Sequence, residues 1–210
     1  MLLADAIVHL HDSETRAWHQ RIPDTDQDGL RPVDSAADWL ALVTCQHRAN
    51  FDLWHFEDEA RAPGASDSEL AGVKRRVDRT NQQRNDLAEE MDQVLLAWLK
   101  VRDLPNEAAE LNSESPGLMI DRLSILALKI YHTREECERA DVSSGHIERN
   151  LERLAILVEQ RTDLAGCLDA LWRETLRGTR RFKLYRQLKM YNDPTLNPSI
   201  YRNPGSQTAC

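Results

Sequence analysis

The chain has 210 residues, with 27 Lys and Arg against 35 Asp and Glu, so its formal net charge at pH 7 is −8. A net-acidic chain is a poor general nucleic-acid binder, because phosphate backbones are bound by basic faces. A charged fraction of 30% and an aromatic fraction of 6% are typical of a globular protein that needs no disulfide or metal to support its core.

The cysteines and the N-terminus indicate a compartment. Cys45, Cys137, Cys167 and Cys210 form no Cys-x-x-Cys pair, so we interpret them as reduced thiols and not as a metal or redox site. We find no basic segment followed by a signal-like apolar run, and no stretch approaches the roughly 20 apolar residues of a membrane span. We therefore expect a cytoplasmic protein without a membrane span.

Apolar residues at helical spacing predict long helices in the first half of the chain. A helix over 2–19 is followed by a loop over 21–32, and Asp34 or Ser35 can cap a helix that runs to residue 61. A Pro-Gly pair just beyond it ends that helix. The spacing Ser66-x-x-Glu69 is that of a capping box, which predicts a further helix to about residue 100.

The second half of the chain is also predicted to be helical. Ser115 and Pro116 begin a helix to about residue 139, and helices at about 146–160 and 163–190 follow, the last with a kink at Gly178. No segment shows the alternation of a β-strand. We predict an all-α fold: one bundle of five to seven helices over 1–198, with long antiparallel central helices and an irregular tail over 199–210.

Polar side chains recur on helix faces that would otherwise be apolar. One face of the predicted second helix carries His47, Asn50, Trp54, Glu57 or Asp58, and Arg61. One face of the predicted third helix carries Lys74, Asp78, Asn81 and Asn85, with Asp86 beside them. Buried polar groups cost free energy unless they are paired, so these faces indicate either a site or a structural network.

The predicted helix from Pro116 is apolar on most sides but also holds ionisable groups. Asp121 and His132 share one face, and Arg122 and Lys129 share a neighbouring one. A buried ion pair that loses one partner costs about 3–5 kcal/mol, so we expect these charges to be paired. The candidate partners are Glu57, Asp58, Asp78 and Arg84.

Four blocks resemble those of a bacterial family catalogued as domain of unknown function 4254. They are FDLWHFEDEAR at 51–61, DRTNQQRND at 78–86, PGLMIDRLSILALKIYH at 116–132 and KMYNDP at 189–194. The resemblance spans about 34–198. It implies a bacterial protein whose relatives neighbour glycosyltransferases of cell-envelope glycan synthesis. It implies no settled activity and no catalytic residue that can be transferred to this chain.

Two metal-binding patterns are incomplete. Asp24-x-Asp26-x-Asp28-Gly29 matches half of a calcium loop, but Ser35 stands where a bidentate glutamate is needed, which favours a solvated acidic turn. The Glu-x-x-His pairs of a di-iron bundle are absent from the carboxylate-rich helices. We assign no metal ligand, and the sequence identifies no cofactor.

A basic segment lies near the C-terminal end. Arginine forks suit phosphate, but in an acidic chain we favour packing of this predicted helix beside acidic ones. Its members are Arg173, Arg177, Arg180, Arg181, Lys183, Arg186 and Lys189.

The leading functional hypothesis is a polar cavity between helices that binds, and in one version transforms, an anionic small molecule such as a sugar phosphate or nucleotide sugar. Arg84, Arg122 or Lys129 would anchor the anion, and Glu57, Asp58 or Asp86 would act as acid or base. The remaining candidate ligand-binding residues are His55, Asn81, Asn85, Asp121 and His132.

Two alternatives stay open. The first is a non-enzymatic homo-oligomeric scaffold, a homodimer for example, whose interface uses the aromatic anchors Trp39, Phe51, Trp54 and Phe56. The second is a metal-dependent all-α nucleotide pyrophosphatase that holds magnesium with clustered acids on two helices, although the tight glutamate spacing of such enzymes is missing. Its candidate ligands are Glu57, Asp58, Asp78 and Asp86.

Overall fold

The computed structural model describes residues 3–20 and 39–188, which form five α-helices and one very short pair of strands. This architecture confirms the predicted all-α fold class. The helices are α1 (Ala4–Gln20), α2 (Trp39–Glu59), α3 (Asp67–Lys100), α4 (Pro116–Glu138) and α5 (Ser144–Leu176).

Serine caps begin three of the helices. Ser66 Oγ accepts the Glu69 N–H at 3.3 Å and the Glu69 carboxylate accepts the Ser66 N–H at 2.7 Å, which confirms the capping box of α3. Ser115 caps α4, with Pro116 in its first turn, and Ser143 caps α5. Each cap satisfies N–H groups that a helix start leaves without partners, so these starts are encoded locally.

Helix α4 lies at the centre of the bundle and contacts each of the other four helices. Its apolar side chains join one continuous core, whose fully buried large members are Ile7, Leu42, Met91, Leu95, Leu99, Ile120, Leu123, Leu168 and Phe182. The faces of α4 that pack on these helices hold polar side chains as well as apolar ones, whereas Arg122, Lys129 and Glu135 are exposed. Ser124 is buried, and Asp121 and His132 are partly buried.

The C-terminal helix differs from the prediction. Instead of two helices at 146–160 and 163–190, α5 is continuous from Ser144 to Leu176. It ends because Gly178 has a φ of +71°, and the N–H groups of Gly178 and Thr179 turn back to the carbonyls of Thr175 and Glu174. The basic segment is therefore not one helix, and Arg180 lies beyond the end of α5.

The expected absence of strands is wrong for two dipeptides. Strand β1 (Glu110–Leu111) pairs in parallel with β2 (Arg180–Arg181), and Asn112 N–H donates to the Arg181 carbonyl at 2.7 Å. The next residue, Phe182, is 1% exposed and belongs to the core. Its burial holds the segment after α5 against the connection between α3 and α4. Strands of two residues are too short to show an alternating pattern.

Several predicted features lie outside the described residues. They are the loop at 21–32 with its acidic turn, the cap at Asp34 or Ser35, the block at 189–194 and the tail at 199–210. Of the helices that the structure describes, none has both the length and the apolar character that crossing a membrane requires.

Candidate functional site

A polar network joins α2, α3 and α4 around the carboxylate of Asp121. Asp121 Oδ1 accepts hydrogen bonds from Gln46 Nε2 at 2.5 Å and from Asn50 Nδ2 at 2.9 Å. Arg84 Nε lies 3.7 Å from the same oxygen, which is close enough for an ion pair but too far for a hydrogen bond. The two amides are buried, and Arg84 and Asp121 keep 27% and 14% of their side-chain surface. Arg84 is thus the charged partner of Asp121.

The network continues through Ser124 to α1. Ser124 Oγ accepts from Asn50 Nδ2 at 2.9 Å and lies 2.7 Å from His47 Nδ1. His47 Nε2 lies 3.1 Å from the backbone oxygen of His11 and 2.8 Å from Thr15 Oγ1. A carbonyl oxygen can only accept, so Nε2 carries the proton of the neutral ring and Nδ1 accepts the Ser124 hydroxyl.

Burial determines the protonation of this network. Desolvation lowers the pKa of His47 to about 4, and it lowers the pKa of the neighbouring His11 well below its usual value. Desolvation also raises the pKa of Asp121, against the opposing effects of the Arg84 charge and the two amides that donate to the carboxylate. At neutral pH both histidines are therefore uncharged.

An open groove of about 340 Å³ lies against the network, between α2, α3 and α4. We call it the Arg84 groove. Three of the predicted site residues, Glu57, Asp58 and Arg84, line it together with Trp54. The full lining is Asn50, Leu53, Trp54, Glu57, Asp58, Arg61, Arg84, Ile125 and Leu128. Arg84 and Asn50 therefore connect the groove to the buried network.

The two cations of the groove differ in how far they are already paired. Arg61 Nη2 lies 3.1 Å from Glu57 Oε2, and its Nη1 donates to the Glu57 backbone oxygen at 2.6 Å. Arg84 Nη2 donates to Asn85 Oδ1 at 3.3 Å, while its buried Nε has no hydrogen-bond partner among the residues that the structure describes. Arg84 is the cation with spare donor capacity.

Three histidines from three helices meet beside the groove: His19 of α1, His55 of α2 and His132 of α4. One ring nitrogen of each lies within 4.8 Å of those of the other two. Trp54 stacks on His132 with ring centroids 4.6 Å apart, and Tyr131 stacks on His19 at 4.3 Å. We call His19, His55 and His132 the histidine cluster. Trp54 contacts this cluster and also lines the Arg84 groove.

Hydrogen bonds fix which nitrogen is protonated in two of these rings. His19 Nδ1 lies 2.7 Å from the Thr15 backbone oxygen, and His132 Nδ1 lies 2.8 Å from Glu135 Oε2. Both oxygens accept, so in the neutral rings each Nδ1 carries the proton and each Nε2 keeps its lone pair. Both Nε2 atoms are buried and unpaired within the described ranges. Desolvation, and then the two neighbouring rings, lower the pKa of His55.

The other predicted residues of α3 do not line the groove. Asp86 is exposed and accepts from Gln82 Nε2 at 2.7 Å, and Asp78 is paired with Lys74. Asn81 is half-buried, and Asn85 is buried beside Arg84. In the described part of the chain, no three acids gather closely enough to hold one ion. The carboxylates named for a magnesium-dependent pyrophosphatase are thus spread along the helices.

The predicted anchors Arg122 and Lys129 line a second pocket. It has a volume of about 770 Å³, extends between α4 and α5, and shares Ile125 with the Arg84 groove. Arg122 is paired with Glu114 at 2.8 Å and not with any of the four predicted partners, and Lys129 is exposed. The polar side chains that line this pocket are exposed or half-buried, unlike the buried amides around Asp121.

The aromatic residues named for a dimer interface have contacts within the chain. Trp39 and Phe51 are buried, with 5% and 8% of their surface exposed. The guanidinium of Arg76 lies 4.5 Å from the centroid of the Phe56 ring. Trp54 remains half-buried at the groove.

Residues that the sequence analysis did not select complete both sites. Gln46 and Ser124 bond to the network, and His19 supplies the third ring of the histidine cluster. A signal for His19 was present, since His11, Thr15 and His19 recur at a spacing of four residues along α1. The spacing of three or four residues that identified the polar face of α2 also identifies this face of α1.

Comparison with known proteins identifies a family. A family model described as a protein of unknown function (DUF4254) matches residues 40–184, a range that extends from α2 to β2. No curated protein and no solved structure matches the chain. Three of the four blocks that carried the resemblance lie inside the matched range. The chain therefore belongs to the DUF4254 family.

Proposed function

We propose that the protein binds a small anionic molecule rich in hydroxyl groups, such as a sugar phosphate, in the Arg84 groove. The observation that carries this proposal is the state of Arg84, a partly buried guanidinium that lines the groove and whose Nη2 makes one long hydrogen bond, to Asn85, within the described residues. The planar fork of arginine matches phosphate and carboxylate oxygens. An anionic group in the groove would accept hydrogen bonds from the Nη atoms of this guanidinium, whose Nε faces Asp121.

The remaining lining of the groove supports the same class of ligand. Trp54 offers a flat apolar surface, and the carboxylates of Glu57 and Asp58 can accept hydrogen bonds from hydroxyl groups. The volume of about 340 Å³ is within the range of about 300–1,000 Å³ that is usual for ligand pockets. Because two acids line the groove beside two arginines, a ligand with one anionic group fits better than a polyphosphate. Glu57 and Asp58 are also the groups that would exchange a proton with a bound ligand.

Calorimetric titration of the full chain with glucose 1-phosphate tests the proposal. We expect Arg84→Gln to weaken binding by about 10- to 100-fold, since a hydrogen bond to a charged group is worth about 1.5–3 kcal/mol. Arg122→Gln is the matched control, because it removes an arginine from the second pocket. We expect that variant to bind as tightly as the parent, and circular dichroism checks that both variants stay helical.

Native mass spectrometry of freshly purified protein adds a second measurement, in which a retained small molecule would appear as added mass. The proposal is wrong if Arg84→Gln binds glucose 1-phosphate as tightly as the parent does. It is also wrong if the parent retains no molecule and binds neither glucose 1-phosphate nor inorganic phosphate.

A further inference from the structure

We propose that His19, His55 and His132 bind a divalent transition-metal ion, with Zn²⁺ as the favoured ion. This inference goes beyond the proposed function, and it does not depend on whether the Arg84 groove holds a ligand. It rests on four features of the histidine cluster: the free lone pairs, the spacing of the rings, the groups that orient them and the charges around them.

The lone pairs are the first feature. Nδ1 of His19 and Nδ1 of His132 donate to oxygen acceptors, so the Nε2 atom of each ring is a bare acceptor. Both Nε2 atoms are buried, and no donor reaches them from the described residues. A buried polar atom without a partner costs about 1–3 kcal/mol. Two such atoms close together need a cation or a donor, and a metal ion satisfies both at once.

The spacing of the rings is the second feature. The candidate ligand nitrogens lie within 4.8 Å of one another, and each comes from a different helix. Tetrahedral Zn²⁺ with Zn–N bonds of 2.0–2.1 Å places its ligand nitrogens about 3.4 Å apart. Binding of the ion would bring these nitrogens closer together by at most about 1.4 Å. His55 and His132 keep 38% and 21% of their side-chain surface exposed, so the cluster lies at the edge of the bundle.

The groups that orient the rings are the third feature. Histidines that bind metals usually donate their second ring N–H to a carbonyl or a carboxylate, which fixes the tautomer and makes the ligand more basic. Here the Thr15 carbonyl accepts from His19 and the Glu135 carboxylate accepts from His132. Stacking of Tyr131 on His19 and of Trp54 on His132 further restrains the rings.

The surrounding charges are the fourth feature. Asp58 Oδ2 lies 3.9 Å from His55 Nδ1, and Glu135 contacts His132, so two carboxylates face a group of imidazoles. Imidazole ligands suit Zn²⁺, Cu²⁺ and Ni²⁺, whereas Mg²⁺ and Ca²⁺ prefer oxygen. Three protein ligands leave a fourth tetrahedral position for water or a substrate, as in catalytic zinc sites. Packing of aromatic rings alone would not account for the two unpaired Nε2 atoms.

Titration of the metal-free full chain with Co²⁺ is the direct test, because tetrahedral Co²⁺ absorbs in the visible range and reports its own coordination. We expect one equivalent to bind, and Zn²⁺ to displace it. His55→Ala is expected to weaken Co²⁺ binding at least 10-fold. His9→Ala is the matched control, since His9 is an exposed histidine of α1, and it is expected to bind as the parent does. Arg84→Gln is also expected to keep full metal binding, which separates this site from the groove.

A second variant keeps the test decisive if His55→Ala loses its helical circular dichroism signal. Glu135→Gln removes only the carboxylate that orients His132, on a residue at the surface, and Glu138→Gln is its control at an exposed position of the same helix. Loss of such an orienting partner typically weakens metal binding by about 10- to 100-fold. The proposal is overturned if the parent binds no stoichiometric Co²⁺. It is also overturned if a folded His55→Ala, or failing that Glu135→Gln, binds Co²⁺ as tightly as its control.

Discussion

Individual buried ionisable residues determine how this protein responds to pH. Asp92 of α3 is 2% exposed, and its Oδ1 accepts the Gly117 N–H at 2.7 Å. Desolvation raises the pKa of Asp92 from 3.8 to about 6, against hydrogen bonds from Ser115 and Gly117 that lower it, and nearby Glu89 raises it further. The free-energy cost of desolvating the ionised Asp92 carboxylate therefore exceeds the stabilisation from its hydrogen bonds.

Replacing Asp92 by Asn should stabilise the protein more at pH 8 than at pH 4. The folded pKa lies above the unfolded one, so stability is highest where both states are protonated and falls as the pH rises from 3.8 through about 6. Asn stays neutral and keeps an acceptor for Gly117. We expect the gain in unfolding free energy from Asp92→Asn to be about 1–3 kcal/mol larger at pH 8. Urea unfolding followed by tryptophan fluorescence measures it, and an equal gain at both pH values would contradict the prediction.

Residue patterns predicted part of the candidate site. The pairing of Asp121 with Arg84 could be predicted from the sequence, because a buried charge on a helix needs an opposite charge on a facing helix. Arg122 differs, since its partner Glu114 lies in the connection before α4 and not on a neighbouring helix. His19 meets His55 and His132 only because α1 packs beside α2 and α4, and helix periodicity does not determine that packing.

Helix starts and helix ends differ in how far local sequence determines them. A serine just before a helical pattern can cap the helix with its own side chain, so the helix start depends on local sequence. The starts of α3, α4 and α5, which are capped by Ser66, Ser115 and Ser143, accordingly lie close to the predicted positions. Gly178 is compatible with either a kink or a stop. The burial of Phe182, a tertiary contact, selects the stop and places the last basic residues outside the helix.

The crossing of α3 and α4 depends on a glycine. A Cβ atom at Gly117 would lie 2.2 Å from the Ala88 backbone oxygen and 3.0 Å from the Asp92 carboxyl group. We expect Gly117→Ala to push the helices apart, strain the hydrogen bond to Asp92, and lower the unfolding free energy by about 1–3 kcal/mol. Thermal unfolding followed by circular dichroism measures the loss.

Gly166 of α5 is the matched control for this substitution, because among the described residues nothing beyond the local helix backbone lies within 4 Å of the Cβ that alanine would add there. Gly166→Ala should therefore raise stability by about 0.5–1 kcal/mol through helix propensity alone. A Gly117→Ala variant that is as stable as Gly166→Ala would show that the close approach of the two helices has no energetic consequence.

At the scale of the whole molecule, one residue of α1, Thr15, contacts both the buried network and the histidine cluster. The Thr15 side chain contacts His47 of the buried network, and the Thr15 carbonyl accepts from His19 of the histidine cluster. The core and the polar network share α4, so disruption of either should loosen the same bundle. We therefore expect ionisation inside the network to appear as a loss of global stability.

Acid should unfold the protein through its buried neutral histidines. The pKa of His47 is about 4 in the folded state against 6.5 when solvated, and the pKa of His11 is lowered in the same direction. The unfolded chain takes up these protons first, so stability that is present above pH 6.5 is lost as the pH falls through 4. Asp92 acts in the opposite direction over part of this range, which makes the observed acid loss in the parent smaller than the histidines alone would cause.

The substitution His47→Gln should flatten this pH dependence. Gln keeps a donor and an acceptor for the network but does not titrate, so up to about 3 kcal/mol of the stability lost between pH 7 and pH 4 should disappear. Less complete packing of Gln is expected to lower the unfolding free energy of this variant by the same amount at every pH, so the pH dependence itself is not affected.

His9→Gln, at an exposed position of α1, is the control and should show the same pH dependence of unfolding free energy as the parent. Urea unfolding at four or more pH values measures both slopes. If His47→Gln loses as much stability on acidification as His9→Gln does, the buried ring of His47 is not the acid-sensitive group.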